Sequence, residues 1–166
     1  TLAWNCRGVD RASIVRAIRE LIRESTLEVV FLLETKSKTP RVGMINSKLK
    51  YVDFHCVEPS GRSGGLTLFW RLGVDLEVVY SDINLIAALI YSDPPNSPWL
   101  LFVVYGPCKS SKKMNFWRMI ENMVLFFSGP WVIIGDLNCI KRMDEKRGGR
   151  STSGSSDNCL KDFMSN

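Results

Sequence analysis

The sequence predicts a layered α/β sandwich, mixed in strand direction and with its helices outside. Three observations lead there. Strand-like and helix-like periods alternate near both ends of the chain, with no internal repeat. Between Tyr51 and Val104 come several strand-like runs in succession, too many for a plain doubly wound sheet. Near the end, WVIIGDLN (Trp131 to Asn138) runs four large apolar residues straight into Gly135, a carboxylate, a spacer and a carboxamide. That is a buried strand leaving the core with polar groups at its exit.

The elements follow in order. Leu2 to Trp4 reads as a strand. Arg11 to Glu24 has helical spacing, with Ile14, Ile18, Leu21 and Ile22 in one stripe and Asp10 as the expected N-cap. Val29 to Leu33 is a continuous apolar strand ending at Glu34. Pro40 to Lys48 is a short helix directing Val42, Ile45 and Leu49 inward. Tyr51 to Val57 alternates, with Val52, Phe54 and Cys56 sharing a face. SGRSGG (Ser60 to Gly65) is a flexible turn before the strand Leu66 to Trp70. Val74 to Tyr80, Leu85 to Tyr91 and Trp99 to Val104 continue as strands, the last two separated by Pro94, Pro95 and Pro98. Lys112 to Phe127 is an amphipathic helix stopped by Ser128-Gly129-Pro130. After Asn138 the chain turns polar and rich in Gly and Ser, so residues 139–156 are expected to be a mobile polar loop. Ser156 to Met164 reads as the beginning of another helix.

Composition narrows the function classes. A chain of 166 residues fits one domain, 1–166, large enough for a real core, and 45% hydrophobic with 23% charged residues is ordinary for a globular protein. Its apolar runs are about a strand long, far short of the ~20 residues of a membrane span. The N-terminus lacks the layout of a signal peptide. Five scattered cysteines without CxxC spacing read as reduced thiols of an intracellular protein, nuclear or cytoplasmic, and as neither a disulfide framework nor a zinc site. The net charge of +5 is uneven. Residues 1–104 carry 12 basic and 11 acidic groups, whereas residues 105–150 carry 9 and 4. Such an excess beside a carboxylate site suits a polyanionic substrate; its bland counterpart is a solvated basic loop.

Four segments share one design, an apolar strand that delivers a polar side chain at its exit. They are LAWNCRG with Asn5, VVFLLETK with Glu34, LFVVYGP with Tyr105, and VIIGDLN with Asp136 and Asn138. Taken singly, each has a structural explanation: a turn cap for Asn5, an exposed strand-end charge for Glu34, a core-edge residue for Tyr105, an Asx turn for the last pair. Taken together, carboxylate and amide oxygens at strand exits read as a Mg²⁺ or Mn²⁺ site for hydrolysis of phosphate esters. A tyrosine hydroxyl alongside can stabilise charge growing on phosphate. If the chain stays extended past Asp136, Asn138 points the same way as that carboxylate.

NCRG, LLETK, VYGP and GDLN, in this order and spacing, resemble the endonuclease/exonuclease/phosphatase superfamily. WNCRG, GRSGGL and the polar tail make the chain most similar to the apurinic-type endonuclease domain of non-LTR (LINE-type) retrotransposons. The resemblance implies a four-layer α/β sandwich with two mixed β-sheets. It implies metal ligation by Glu34 and Asn5, and catalysis by Asp136, Asn138 and Tyr105. The reaction implied is nicking of DNA by water, leaving a 3′-hydroxyl that primes reverse transcription. Arg7, Lys36, Lys141, Arg142 and Arg147 are the candidate substrate contacts. The partners implied are DNA, no membrane, and a reverse transcriptase in the same polyprotein, the domain itself acting as a monomer.

The chain also departs from that pattern. Such domains end in an Asp-His pair, which nothing here matches; the one histidine, His55, lies far upstream in an alternating strand. Cys108 stands where many relatives carry a phosphate-contacting asparagine. The domain is therefore expected to be C-terminally truncated, its second sheet incomplete, and weak or inactive as given. Two alternatives stand beside the endonuclease: a non-catalytic nucleic-acid-binding remnant, and a phosphatase or phosphodiesterase of the same superfamily acting on small phosphate esters. A Rossmann-type nucleotide module is disfavoured, since GRSGG lacks the required glycine spacing.

Overall fold

The computed structural model of the chain describes residues 1–61, 64–92 and 94–139, with Leu160, Phe163 and Met164. Two compact units share these residues, Thr1–Tyr105 with Gly129–Asp136, and Gly106–Ser128 with Leu137–Asn166. The elements are β1 (Leu2–Asn5), α1 (Ala12–Ser25), β2 (Val29–Leu33), α2 (Thr39–Leu49), β3 (Asp53–Val57), β4 (Leu66–Trp70), β5 (Leu76–Ser81), β6 (Leu85–Ile90), β7 (Trp99–Tyr105), α3 (Ser110–Leu125) and β8 (Trp131–Asp136). Among the described residues, all eight strands and helices α1 and α2 belong to the first unit; α3 belongs to the second.

The strands make two mixed sheets of four, ordered β1-β2-β4-β3 and β5-β6-β7-β8. In each sheet one pair is parallel, β1 with β2 and β7 with β8, and the remaining pairs are antiparallel. This is the α/β class with mixed sheets that the sequence predicts, and the unbroken series β3 to β7 accounts for the strand-rich middle.

β2 shows why its sequence never alternates. Val30 and Leu32 face α1 and α2, in a cluster with Ile18, Ile22, Val42, Ile45, Leu49 and Phe69. Val29, Phe31 and Leu33 face the other way, against Ile86, Ala88, Ile90, Leu101 and Val103 of the second sheet. A strand covered on both faces needs an apolar residue at every position. Each such side chain removed from water contributes about 1.5–3 kcal/mol before entropy is counted. The second sheet is closed on its other face too, since Leu85, Ala87, Phe102 and Val104 are fully buried.

Local details differ from the sequence reading in four places. The residue before α1 is Arg11, which makes no capping bond, because Asp10 accepts hydrogen bonds from Ser37 Oγ (3.0 Å) and Arg41 Nε (2.8 Å) instead. Leu21 is substantially exposed, so the α1 stripe narrows to Ile18 and Ile22 with Ile14 partly buried. Val52 lies outside β3 and is exposed, leaving Phe54 and Cys56 on that face. The strand from Trp131, expected to be buried, begins exposed at Trp131 and Val132 and is only partly covered as far as its end at Asp136, because it pairs with β7 alone among the described residues. α2 matches its expectation, with Pro40 in the first turn, where the missing N–H costs nothing. In the second unit, Phe116 meets Trp117 edge-on at 5.2 Å, and Trp117 lies 5.1 Å from Phe163. Most of the expected polar loop, residues 140–156, falls outside the described residues.

Candidate active site

The two parallel pairs end side by side in register. Asn5 closes β1, with Glu34 one residue past the end of β2. Tyr105 closes β7 and is aligned with Asp136, which closes β8. Carboxyl ends of parallel strands are where α/β proteins gather ligands, because the turning chain frees polar side chains there. Face-to-face sheets bring the two ends together. Asn5 Nδ2 donates to Glu34 Oε1 at 3.2 Å and to Asp136 Oδ2 at 3.4 Å. Tyr105 Oη donates to the same Glu34 Oε1 at 2.8 Å. Lys36 Nζ stands 3.6 Å from Glu34 Oε2. Residues 131 positions apart in sequence thus meet around one amide.

Backbone strain accompanies the cluster. Glu34 has φ of 53° and Lys36 of 54°, the left-handed region that non-glycine residues rarely occupy. Two flanking segments hold this stretch. On one side Gly8 N donates to Glu34 O (2.8 Å) and Val9 N to Thr35 O (3.0 Å). On the other, Thr35 N donates to Gly65 O (3.0 Å) and Lys36 N to Gly64 O (3.1 Å). Gly65 admits no side chain, since a Cβ there would lie 2.4 Å from Thr35 Oγ1. Gly135 is equally constrained: at φ 138° it lets β8 approach β7 so closely that a Cβ would overlap Val104 O. Asn84 fixes Tyr105 in turn, its Nδ2 donating to Tyr105 O (2.7 Å) and its O accepting from Tyr105 N (2.8 Å).

The electrostatics favour an ionised Glu34. Burial is the largest single influence and pushes its carboxyl up. The hydrogen bonds from Tyr105 and Asn5, with the charge of Lys36, together outweigh burial and hold it below the usual 4.5. Nearby Cys6 behaves oppositely: burial raises its thiol, which bonds Leu33 O at 3.2 Å and stays neutral and structural.

The residues fit a hard divalent cation. Asn5 Oδ1 is buried and has no hydrogen-bond partner, an orphaned oxygen on the same amide whose Nδ2 bonds both carboxylates. Such an atom costs about 1–3 kcal/mol unless something binds it. Among the described residues no three His, Cys, Asp or Glu side chains gather as a metal-binding group. That donor set is too poor for zinc but suits magnesium, which takes one or two carboxylates and keeps its other positions for water and phosphate oxygens.

Of the residues picked from sequence, Asn5, Glu34, Tyr105 and Asp136 come together, and Lys36 joins them as an ion-pair partner of Glu34. Arg7 is exposed in the loop after β1, itself left-handed at φ 50°. Asn138 belongs to the second unit, where its Nδ2 donates to Gly106 O at 2.7 Å. Its φ of 48° breaks the extended chain on which a shared direction with Asp136 depended. Lys141, Arg142 and Arg147 lie outside the described residues. Sequence reasoning missed Gly65, Thr35 and Asn84 as positioning groups. The GG doublet, 28 positions after Lys36, was their one visible signal, and it carried no hint of a close backbone approach.

A family model described as the Endonuclease/Exonuclease/phosphatase family matches residues 2–164. Among curated proteins none matches the chain significantly. Among solved structures, an AP endonuclease from Leishmania major is similar at TM-score 0.70 and 14% identity, over 98% of this chain and 65% of its own. An AP endonuclease from Archaeoglobus fulgidus gives 0.71 and 14%, over 99% and 69%. The 3′ phosphatase NExo from Neisseria, bound to a product DNA hairpin, gives 0.70 and 11%, over 99% and 70%. At these identities the likeness shows the fold, and the chain spans 65–70% of the length of these three structures.

Proposed function

Because this chain belongs to the endonuclease/exonuclease/phosphatase family, we propose that it is a divalent-metal-dependent phosphodiester hydrolase, a DNA-nicking endonuclease of retroelement type. The observation that carries the reading is the Asn5 amide, whose Nδ2 bonds both Glu34 and Asp136 while its buried Oδ1 has no partner. Glu34 and Asn5 would hold Mg²⁺ or Mn²⁺, which when bound supplies positive charge for a phosphate oxygen. Asp136 accepts a proton from the water that attacks phosphorus as the bond to the 3′-oxygen breaks. Tyr105, which now donates to Glu34 Oε1, would offer its hydroxyl to a phosphate oxygen. Asn138 is proposed as the transition-state partner of Asp136, and the basic residues Arg7, Lys36, Lys141, Arg142 and Arg147 as contacts to the DNA.

DNA as substrate is favoured by the motif likeness, by the basic excess in residues 105–150 and by the DNA-acting proteins that share the fold. The four described cysteines are free, in keeping with a reducing intracellular site of action. No helix among the described residues is long and apolar enough to cross a membrane. The single histidine, His55, bonds Ser81 Oγ through Nε2 at 3.0 Å, in β3. No imidazole therefore joins the four-residue cluster among the described residues. A missing preorganised donor costs ~10²–10³ in rate, so residues 1–166 by themselves are expected to turn over slowly.

Trp4 precedes Asn5 and reports on the site. Titrating Mg²⁺ or Mn²⁺ while following tryptophan fluorescence should give a saturable change that EDTA reverses. Supercoiled plasmid should be nicked slowly, only with metal, and not at all by Asp136→Ala. An absence of any metal response in the unaltered protein would overturn the assignment. Nicking undiminished in Asp136→Ala would remove that residue from it.

A further inference from the structure

The near-neutral balance of residues 1–104 conceals a segregation of charge. Six of their 12 basic residues line one cavity of about 500 Å³: Arg16, Arg19 and Arg23 on α1, Lys48 and Lys50 at the end of α2, and Arg71 just past β4. Among the described residues Glu20 is the one acidic residue on its wall, and Ile22 and Leu49 supply apolar surface. The ion pairs among the described residues join Lys36 to Glu34 and Arg41 to Asp10, so none of the six cations is consumed in one. Arg71 is braced: its guanidinium sits 5.7 Å from the centre of the Tyr51 ring, and its backbone N donates to Glu28 O at 3.0 Å. Tyr51 is fixed by its own bond to Leu27 O at 2.8 Å. Glu28 precedes β2 and Glu34 follows it, so this cavity lies at the opposite end of that strand, roughly 20 Å from the carboxylate cluster.

Helix dipoles explain part of the pattern. Arg23 and Lys48 lie in the last turns of α1 and α2, where cations complement free carbonyls. Each helix end is equivalent to only about half a negative charge. With Glu20 included, a net of about four positive charges remains in one concavity. Like charges so close repel and destabilise the fold, unless a polyanion offsets them. Three arginines on one helix face and a braced fourth present planar forks that match phosphate oxygens. The volume falls within the ~300–1,000 Å³ of sites that enclose a small ligand or a segment of one.

We propose that this cavity is a second anion site, separate from the carboxylate cluster, which binds clustered phosphate groups, carried by a nucleic-acid strand or by free polyphosphate. The proposal does not depend on the hydrolase reading, since it concerns different residues and needs no metal.

The test is titration of inorganic tripolyphosphate into the full chain in EDTA, by calorimetry and by amide chemical shifts. Binding should weaken as salt rises, and shifts should concentrate at residues 19–23, 48–50 and 71. The triple variant R19Q/R23Q/K50Q should bind roughly tenfold or more weakly, while the charge-matched K109Q/K112Q/R118Q, just before and on α3, keeps the affinity. A labelled single-stranded oligonucleotide distinguishes the sources. Parallel loss of its binding in the triple variant assigns the phosphates to nucleic acid; loss confined to tripolyphosphate assigns them to a free polyphosphate. Absence of binding, equal affinity in the folded triple variant, or shifts lying elsewhere would each overturn the site. Should the triple variant fail to fold, the shift map of the unaltered protein decides by itself.

Discussion

Glu34 carries the chemistry of this chain and also part of its strain. A left-handed φ of 53° costs a non-glycine residue about 1–2 kcal/mol. It persists because the bond from Gly8 N to its carbonyl and those from Thr35 N and Lys36 N to the Gly65 and Gly64 carbonyls leave the chain no alternative. The carboxylate is thereby aimed at Asn5 and Tyr105 rather than left along the strand. If this is a binding residue, its charge should matter more than its packing. Glu34→Gln keeps an oxygen to accept from Tyr105 and Asn5, and loses only a partly exposed pairing with Lys36. Its stability should therefore stay within about 1 kcal/mol of the original, since such exposed pairs contribute that much or less. Its metal-dependent fluorescence change should vanish. A large loss of stability with metal binding intact would mean that Glu34 is structural. The identity of Glu34 was readable from its place after five apolar residues. Its backbone conformation was not, because nothing in LLETK forces a left turn until β1 and the Gly64–Gly65 segment close around it.

Among the elements, the stretch from Glu34 to Lys36 extends the β1-β2-β4 ladder beyond the strands themselves, gripped from both sides. Gly65 is the tightest point of that grip. Gly65→Ala would press a methyl group onto Thr35 Oγ1 and Lys36 N, at a φ of +87° that alanine resists. We expect a loss of roughly 1–3 kcal/mol in chemical denaturation and, because the shift falls on Glu34, weaker Mg²⁺ binding. A variant as stable and as metal-responsive as the original would show that the grip does not position the carboxylate. Element types were legible among the described residues, from helical spacing in the helices and from short apolar or alternating runs in the strands. Ends and caps were not. Asp10 stands where an N-cap belongs, yet Ser37 and Arg41 from elsewhere in the chain take its oxygens.

For the molecule as a whole, acid is the expected weakness. Burial lowers His55 from its ordinary 6.5, so below that value the unfolded chain binds the proton more readily than the folded one. Stability is then whole above about 6.5 and declines as pH falls toward the lowered value. Glu34 and Glu58 are held below 4.5, Glu58 mainly by the backbone N–H and hydroxyl of Thr39, so their contribution is full above 4.5 and lost as pH drops through their lowered values. Melting temperatures should fall in two stages, first below about pH 6.5 and again below about 4.5. His55→Asn should flatten the first stage alone; a profile unchanged by that substitution would refute the assignment. The sequence by itself determined which segments are strands and helices, that the sheets are mixed, and which polar residues stand at strand exits. Those properties depend on neighbours a few positions away. Only the tertiary structure decided that Asn5, Glu34, Tyr105 and Asp136 share one cluster, that one amide bonds two carboxylates and keeps a buried oxygen without a partner, and that six cations from three segments face one cavity. Convergence of that kind is set by sheet order and by face-to-face packing, and no local pattern of residues encodes the distance between strands a hundred positions apart.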